Sequence, residues 1–268
     1  MSKIRLIGLP TDANSSFLKG PAKAPGLIRD MIWSDKGNAA TELGGTLGND
    51  IAFHDIGDLA LDGSAEDDAV IEAAIAAALA DGDIPISIGG DHAVTYPIMK
   101  AIAKHHGPVS ILHIDAHPDL YDELLGNRRS HASPFARIME SGLAKRLVQV
   151  GIRTLNEHQR EQAERFGVEI VPMRGFSANS VPIPEGPLYI SVDLDGLDPA
   201  YAPGVSHHEP GGLSVRELMD ILARIDQPIV GADLVEYNPD QDINSMTCSV
   251  AAKLVKELSA VAAGGTSH

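Results

Sequence analysis

From residue 64 onward, apolar runs of strand length alternate with stretches of helical period, and no other feature restricts the chain as much. The alternation calls for parallel strands joined by crossover helices. The runs IPISI (84–88), VSILHI (109–114), LVQVGI (147–152), VEIVPM (168–173), PLYISV (187–192) and PIVGADLV (228–235) read as strands. Between them, 97–106, 157–166 and 215–225 have helical spacing, the first ended by Gly107, and the chain closes on a helix over 246–262. Ser64 with Asp67 and Ser214 with Glu217 have the spacing of capping boxes, the first opening an Ala-rich helix that stops near Gly82. At the amino terminus, IRLIGL reads as one more apolar strand. The expected architecture is a three-layer α/β/α fold around a central, mostly parallel sheet. No fixed-period repeat or pooled Gly/Pro linker divides the 268 residues, so a single domain over 1–268 is expected.

Charge narrows the partners. Against 21 Lys and Arg stand 37 Asp and Glu, a formal charge of −16, which argues against nucleic acid or an anionic membrane as the main partner. Cys248 is the one cysteine, which excludes an intramolecular disulfide and a four-cysteine zinc site and fits a reducing compartment. MSKIRLIGLP enters a strand without the regions of an export signal, and the most apolar helical stretch, 70–80, is short and broken by Glu72. These features lead to the expectation of a soluble, cytoplasmic protein with no membrane partner.

Open parallel sheets place ligand sites beyond the carboxyl ends of their strands, so polar clusters there are the places to search. Four occur: Gly89-Gly90-Asp91-His92, Asp115-Ala116-His117-Pro118-Asp119, Asp193-Leu194-Asp195, and Glu236. Along an extended chain Asp115, His117 and Asp119 share one side, as do Asp193 and Asp195. With His92 they make two imidazoles and four carboxylates, a mixed nitrogen and oxygen set suited to two divalent ions. Without cations so many carboxylates repel one another. Such donors suit manganese, although iron, cobalt, nickel or zinc bind the same atoms. A pair of ions that activates a water points to hydrolysis.

The segments GGDH, DAHPD, SHASPFARIME, SVDLDGLDPAYAPG and VEYNP, from about residue 85 to the carboxyl terminus, resemble the arginase and agmatinase superfamily of ureohydrolases. APGVSHHEPGGLS, ADLVEYNPDQD and SMTCSVAAKLVKEL are most similar to the plant-type arginases. The resemblance implies a centre of two Mn²⁺ per subunit held by His92, Asp115, His117, Asp119, Asp193 and Asp195, with Asp119 also accepting a hydrogen bond from the nucleophile. It implies that Glu236 pairs with the substrate guanidinium and that His131 is a mobile proton shuttle for the leaving amine. Asn127 falls where related enzymes contact the far end of the substrate. Trimers or hexamers are implied as well.

The expected reaction is manganese-dependent hydrolysis of L-arginine to urea and L-ornithine. The alternative is agmatinase, or another guanidino-acid hydrolase such as guanidinobutyrase. A single-zinc deacetylase on a related fold and a non-enzymatic metal-binding module are disfavoured by the complete ligand set. Two departures from animal arginases bear on the substrate: Ser206-His207-His208-Glu209 replaces their Gly-Thr-Pro turn, and the segment 151–156 offers no carboxylate for the α-amino group, so recognition of arginine must use other atoms. His207 and His208 read as a solvated loop ahead of an accessory contact or ligand, His105 and His106 as residues of a helix end, and Arg128 and Arg129 as solvated ahead of partners for a substrate carboxylate. All six stay outside the catalytic set.

Overall fold

Eight parallel strands form one sheet in the computed structural model, which describes residues 3–264. In chain order they are β1 (Ile4–Leu9), β2 (Phe53–Asp58), β3 (Ile84–Gly89), β4 (Val109–Ile114), β5 (Ala144–Ile152), β6 (Glu169–Pro172), β7 (Leu188–Asp193) and β8 (Ile229–Val235). They lie side by side in the order β2-β1-β3-β8-β7-β4-β5-β6. Every pairing is parallel, as crossover connections dictate. The helices are α1 (Ala24–Ile32), α2 (Asp67–Ala80), α3 (Thr95–His106), α4 (Pro134–Glu140), α5 (Glu157–Phe166), α6 (Val215–Leu222) and α7 (Met246–Ala262).

Alternation along the strands feeds two apolar cores. Ile4, Leu6, Ile86, Ile88, Leu112 and Ile190 pack on one face with side chains of α1, α6 and α7. Ile7, Leu9, Ile111 and Tyr189 pack on the other with α2, α3, α4 and α5. The three-layer architecture expected from the alternating pattern is the one observed.

The ends of the elements explain their stops. Ser214 and Glu217 form the reciprocal capping box that opens α6, and α3 ends at Gly107, whose φ of 75° suits glycine. The box expected at Ser64 and Asp67 does not form. The helix α2 begins at Asp67 itself, whose carboxylate accepts from the backbone N–H groups of Asp62 (3.1 Å) and Gly63 (2.8 Å) in the turn before it. Among the described residues no helix is long and apolar enough to cross a membrane.

Sheet order places the four polar clusters together. The strands that precede them, β3, β8, β7 and β4, are consecutive neighbours at the middle of the sheet. Four clusters spread over more than 140 residues of sequence therefore meet at one edge.

Candidate metal centre and substrate pocket

Each cluster is held by its own backbone. After β3, Gly90 lets the segment following β1 approach: a Cβ there would stand 1.6 Å from the Thr11 carbonyl oxygen. Buried Asp91 then accepts from the backbone N–H of Asn14 at 2.8 Å and of Ala93 at 3.1 Å, so the turn that presents His92 is tied to the Asn14 loop. After β4, Asp115 Oδ1 accepts from the His117 backbone N–H at 2.5 Å. After β7, Asp193 Oδ1 accepts from the Asp195 N–H at 2.8 Å, and Asp195 Oδ1 from the Ala116 N–H at 3.2 Å. Asp119 (φ 50°) and Glu236 (φ 64°) both adopt the left-handed backbone that non-glycine residues rarely take. Such strain persists where surrounding structure overrides it.

All six residues expected as ligands come together. His92 Nδ1 lies 3.3, 3.1 and 3.2 Å from carboxylate oxygens of Asp115, Asp119 and Asp193. His117 Nδ1 lies 3.0 Å from Asp195 Oδ2 and 3.4 Å from Asp115 Oδ1. Asp115 thus belongs to two foci, and Asp115, His117 and Asp195 form a group with the spacing to hold a metal ion. The five residues other than His117 are buried.

The electrostatics are those of a crowded anionic site. Burial, then the charges of Asp195 and Asp115, push Asp193 well above the usual carboxylate range. Burial and then Asp115 bring Asp119 up to about 7. Asp195 is raised by burial against the pull of His117. Burial opposes ionisation of Asp115 too, but His113 first, then His117 and His92, hold it low. Burial also disfavours charge on His92 and His117, yet the surrounding carboxylates raise both.

These donors fit divalent cations. His92 Nδ1 is buried and makes no hydrogen bond although three carboxylates face it. A lone pair surrounded by anionic oxygens is repulsive unless a positive charge sits between them. The donor set, imidazole and carboxylate without thiolate, is that of a hard to borderline metal ion.

Beside the cluster opens a cavity of about 220 Å³, lined by Asp119, Asp193, Asp195, His117, His131, Glu236 and, toward the mouth, Ser16, Tyr121, His207 and Glu209. His131 Nδ1 meets Glu236 Oε1 at 2.8 Å and its Nε2 meets Ser16 Oγ at 2.8 Å. Burial works against charge on His131, but Glu236 raises it to about 9. Glu236 Oε1 also accepts from the His92 backbone N–H at 2.9 Å. Asn127 stands outside the cavity wall, its amide donating to Asn14 Oδ1 at 3.1 Å and accepting from the Arg129 N–H at 2.8 Å.

Several side chains depart from the sequence reading. His207 is not simply solvated: its ring centroid lies 5.4 Å from that of His131, 5.9 Å from His117 and 5.6 Å from Phe17. His208 turns away and meets the Pro203 carbonyl at 2.7 Å. Arg128 pairs with Asp122 (2.8 Å) and Glu140 (3.0 Å), while Arg129 pairs with Asp68 and lies over the Tyr96 ring. Arg153 donates to the backbone carbonyls of Glu209 (2.8 Å), Asp195 (2.7 Å) and Gly196 (3.1 Å), fastening the loop that carries His207. Ser16 carries no motif of its own, and its only signal in the sequence is its place shortly after an apolar strand. The strand-end rule applied after IRLIGL marks the run TDANSS.

Comparison with known proteins agrees over nearly the whole chain. The model of the arginase family matches residues 2–260, extending the similarity through the amino-terminal third. Arginase 1, mitochondrial, of Arabidopsis thaliana is 49% identical over 272 residues, covering 95% of this chain and 80% of that one. Arginase 2, chloroplastic/mitochondrial, of the same plant is 47% identical over 272 residues, 95% of this chain and 79% of the other. Among solved structures, arginase from Medicago truncatula superposes with a TM-score of 0.90 at 42% identity, over 97% of this chain and 87% of that one. The names of the two Arabidopsis relatives overturn the expectation of a cytoplasmic protein, for they point to an organelle.

Proposed function

Because this chain belongs to the arginase family, and is thus a hydrolase acting on a guanidino group, we propose that it hydrolyses L-arginine to urea and L-ornithine as one catalytic unit. The observation that carries the reading is the 220 Å³ cavity, with the carboxylate and imidazole cluster on its floor and Glu236 and His131 on its wall. Identity of 47–49% to plant arginases over 95% of the chain favours arginine over agmatine or a guanidino acid.

His92, Asp115, His117, Asp119, Asp193 and Asp195 would hold two Mn²⁺. Such a pair supplies Lewis acidity and lowers the pKa of water, giving a nucleophile at neutral pH. The chain's own groups do the rest. Glu236 accepts the guanidinium in a charge-assisted contact and orients its carbon toward the floor. His131, held at Nδ1 by Glu236, carries a proton within reach of the leaving amine. At the mouth, the Glu209 carboxylate makes no side-chain hydrogen bond among the described residues, and His117 Nε2 lies 3.9 Å from it. It is the carboxylate placed to meet the α-ammonium, the group that the segment 151–156 leaves without a counter-charge. Tyr121 and His207 flank that end. We expect trimers or hexamers, which sedimentation checks.

Urea release from L-arginine, agmatine and 4-guanidinobutyrate, with added manganese and with a chelated control, tests the function. Metal-dependent urea from arginine supports it. Turnover of agmatine or guanidinobutyrate alone would move the chain to the sister activities.

A further inference from the structure

A row of polar side chains crosses the middle of the sheet one step beneath the metal centre. Strand register sets Ser87 beside Asp233, Asp233 beside Ser191, Ser191 beside His113 and His113 beside Gln149, on β3, β8, β7, β4 and β5. All five are 0% exposed, each flanked along its strand by buried residues. His113 and Ser191 precede Asp115 and Asp193 by two residues, so alternation turns them to the same face. Five buried polar groups are costly unless they are satisfied.

Two relays engage four of them, and each ends on a proposed ligand, while Ser87 Oγ and Gln149 Oε1 find no partner among the described residues. In the first, the Asp233 carboxylate accepts from Ser191 Oγ (2.6 Å), Tyr189 Oη (2.7 Å) and Thr95 Oγ1 (2.8 Å). A serine has one hydroxyl hydrogen, and that of Ser191 is spent on Asp233. Toward His92 Nε2, 3.0 Å away, Ser191 Oγ is therefore an acceptor, so Nε2 carries the ring proton and Nδ1 presents a bare lone pair to the centre. In the second, Gln149 Nε2 donates to the Pro118 carbonyl at 2.6 Å, which fixes the orientation of the amide because that oxygen only accepts. The same nitrogen faces His113 Nδ1 at 3.0 Å, which leaves the His113 Nε2 proton for Asp115 Oδ2 at 2.8 Å.

We propose that Asp233 and Gln149 are positioning residues of the centre. Acting through Ser191, Asp233 selects the His92 tautomer that can bind a cation, and acting through His113, Gln149 fixes the Asp115 carboxylate shared by the two foci. Neither residue touches the substrate. The inference rests on the two-cation reading of the proposed function, and it assigns the tautomer and the carboxylate orientation to residues outside the ligand set.

The test is metal stoichiometry and affinity, read by elemental analysis after dialysis against buffered manganese and by electron paramagnetic resonance. D233N and S191A should weaken the ion held by His92 by about 10–100-fold, in the range found when an outer partner of a ligating histidine is lost. The stoichiometry then falls from two toward one, and the spectrum of an exchange-coupled pair gives way to that of an isolated ion. Y189F, which removes a hydrogen bond of similar length to Asp233 without touching Ser191, should keep both ions. Q149L should weaken both ions together, because Asp115 serves both foci. Folded S191A with two tightly held ions and an unaltered spectrum would overturn the assignment, even if D233N fails to fold. Equal loss in Y189F and D233N would also overturn it, reducing the row to general packing. If the wild-type protein holds fewer than two ions, the proposed centre fails and this inference falls with it, an outcome seen before any variant is made.

Discussion

The floor and the mouth of the cavity are built by different means. On the floor, His92, Asp115, Asp119, Asp193 and Asp195 stand at the ends of three central strands, no more than 6% exposed, with backbone N–H groups and buried side chains fixing their carboxylates. At the mouth, Ser16, Tyr121, His207 and Glu209 come from three loops, with Phe17 and Leu125 nearby at 67% and 86% exposure. The floor inherits the precision of the sheet, whereas the mouth is adjustable. A family can keep one reaction and exchange substrates by changing only such loops.

If the division is sound, the largest effect belongs to the floor. Chelation should abolish urea release from arginine while the far-ultraviolet circular dichroism stays within a few per cent of the native spectrum, and added manganese should restore turnover. Next comes Glu236, on the wall between the two regions. E236Q removes one partner of a buried charge pair, which costs about 2–5 kcal/mol, so kcat/KM should fall by roughly 30-fold to several thousand-fold for arginine and agmatine alike. H131A should lower kcat by about 10²–10⁴-fold with little change in KM, the span of a lost general acid.

The His131–Glu236 pair also predicts a pH dependence of stability. Glu236 raises His131 in the folded state to about 9 from its ordinary 6.5. Its stabilisation is therefore complete below pH 6.5 and disappears as pH rises through about 9. Melting of the chelated protein should show wild type more stable than H131A at about pH 6, with the gap closing by about pH 10. A constant gap would mean that the pair is neutral throughout. The smallest effect falls on the mouth: E209Q should raise KM for arginine about fivefold, the worth of a partly exposed ion pair, and leave agmatine unchanged. An equal loss on both substrates would instead tie Glu209 to the floor through His117.

Legibility follows the same division. The floor could be read because ionised residues that directly follow a buried apolar run, as in ILHIDAH and YISVDLD, need a strong reason to be there. The roles proposed for Glu236 and His131 came from resemblance, since a lone strand-end Glu or loop His has many uses. The amino-terminal third was less legible. The edge strand β2, FHDIGD, is only half-buried and has no apolar run, and α1 carries Pro25 and Gly26 in its first turn. Asp67 misled because its carboxylate holds a turn rather than capping a helix. The polar row beneath the centre was printed in plain sight as a single polar letter within ISI, LHI, LVQV, YIS and GADL. Without strand order, nothing aligned those letters.

Strand order also makes β8 the keystone of the sheet. It alone joins β2-β1-β3 to β7-β4-β5-β6, so both sections expose a raw edge until the final strand slides between them. On the ribosome, His92 and Asp193 must wait for the segment through Val235 before they become neighbours. A truncation just short of it would leave two half-sheets and no site at all, and a chain with such long-range pairing should fold slowly.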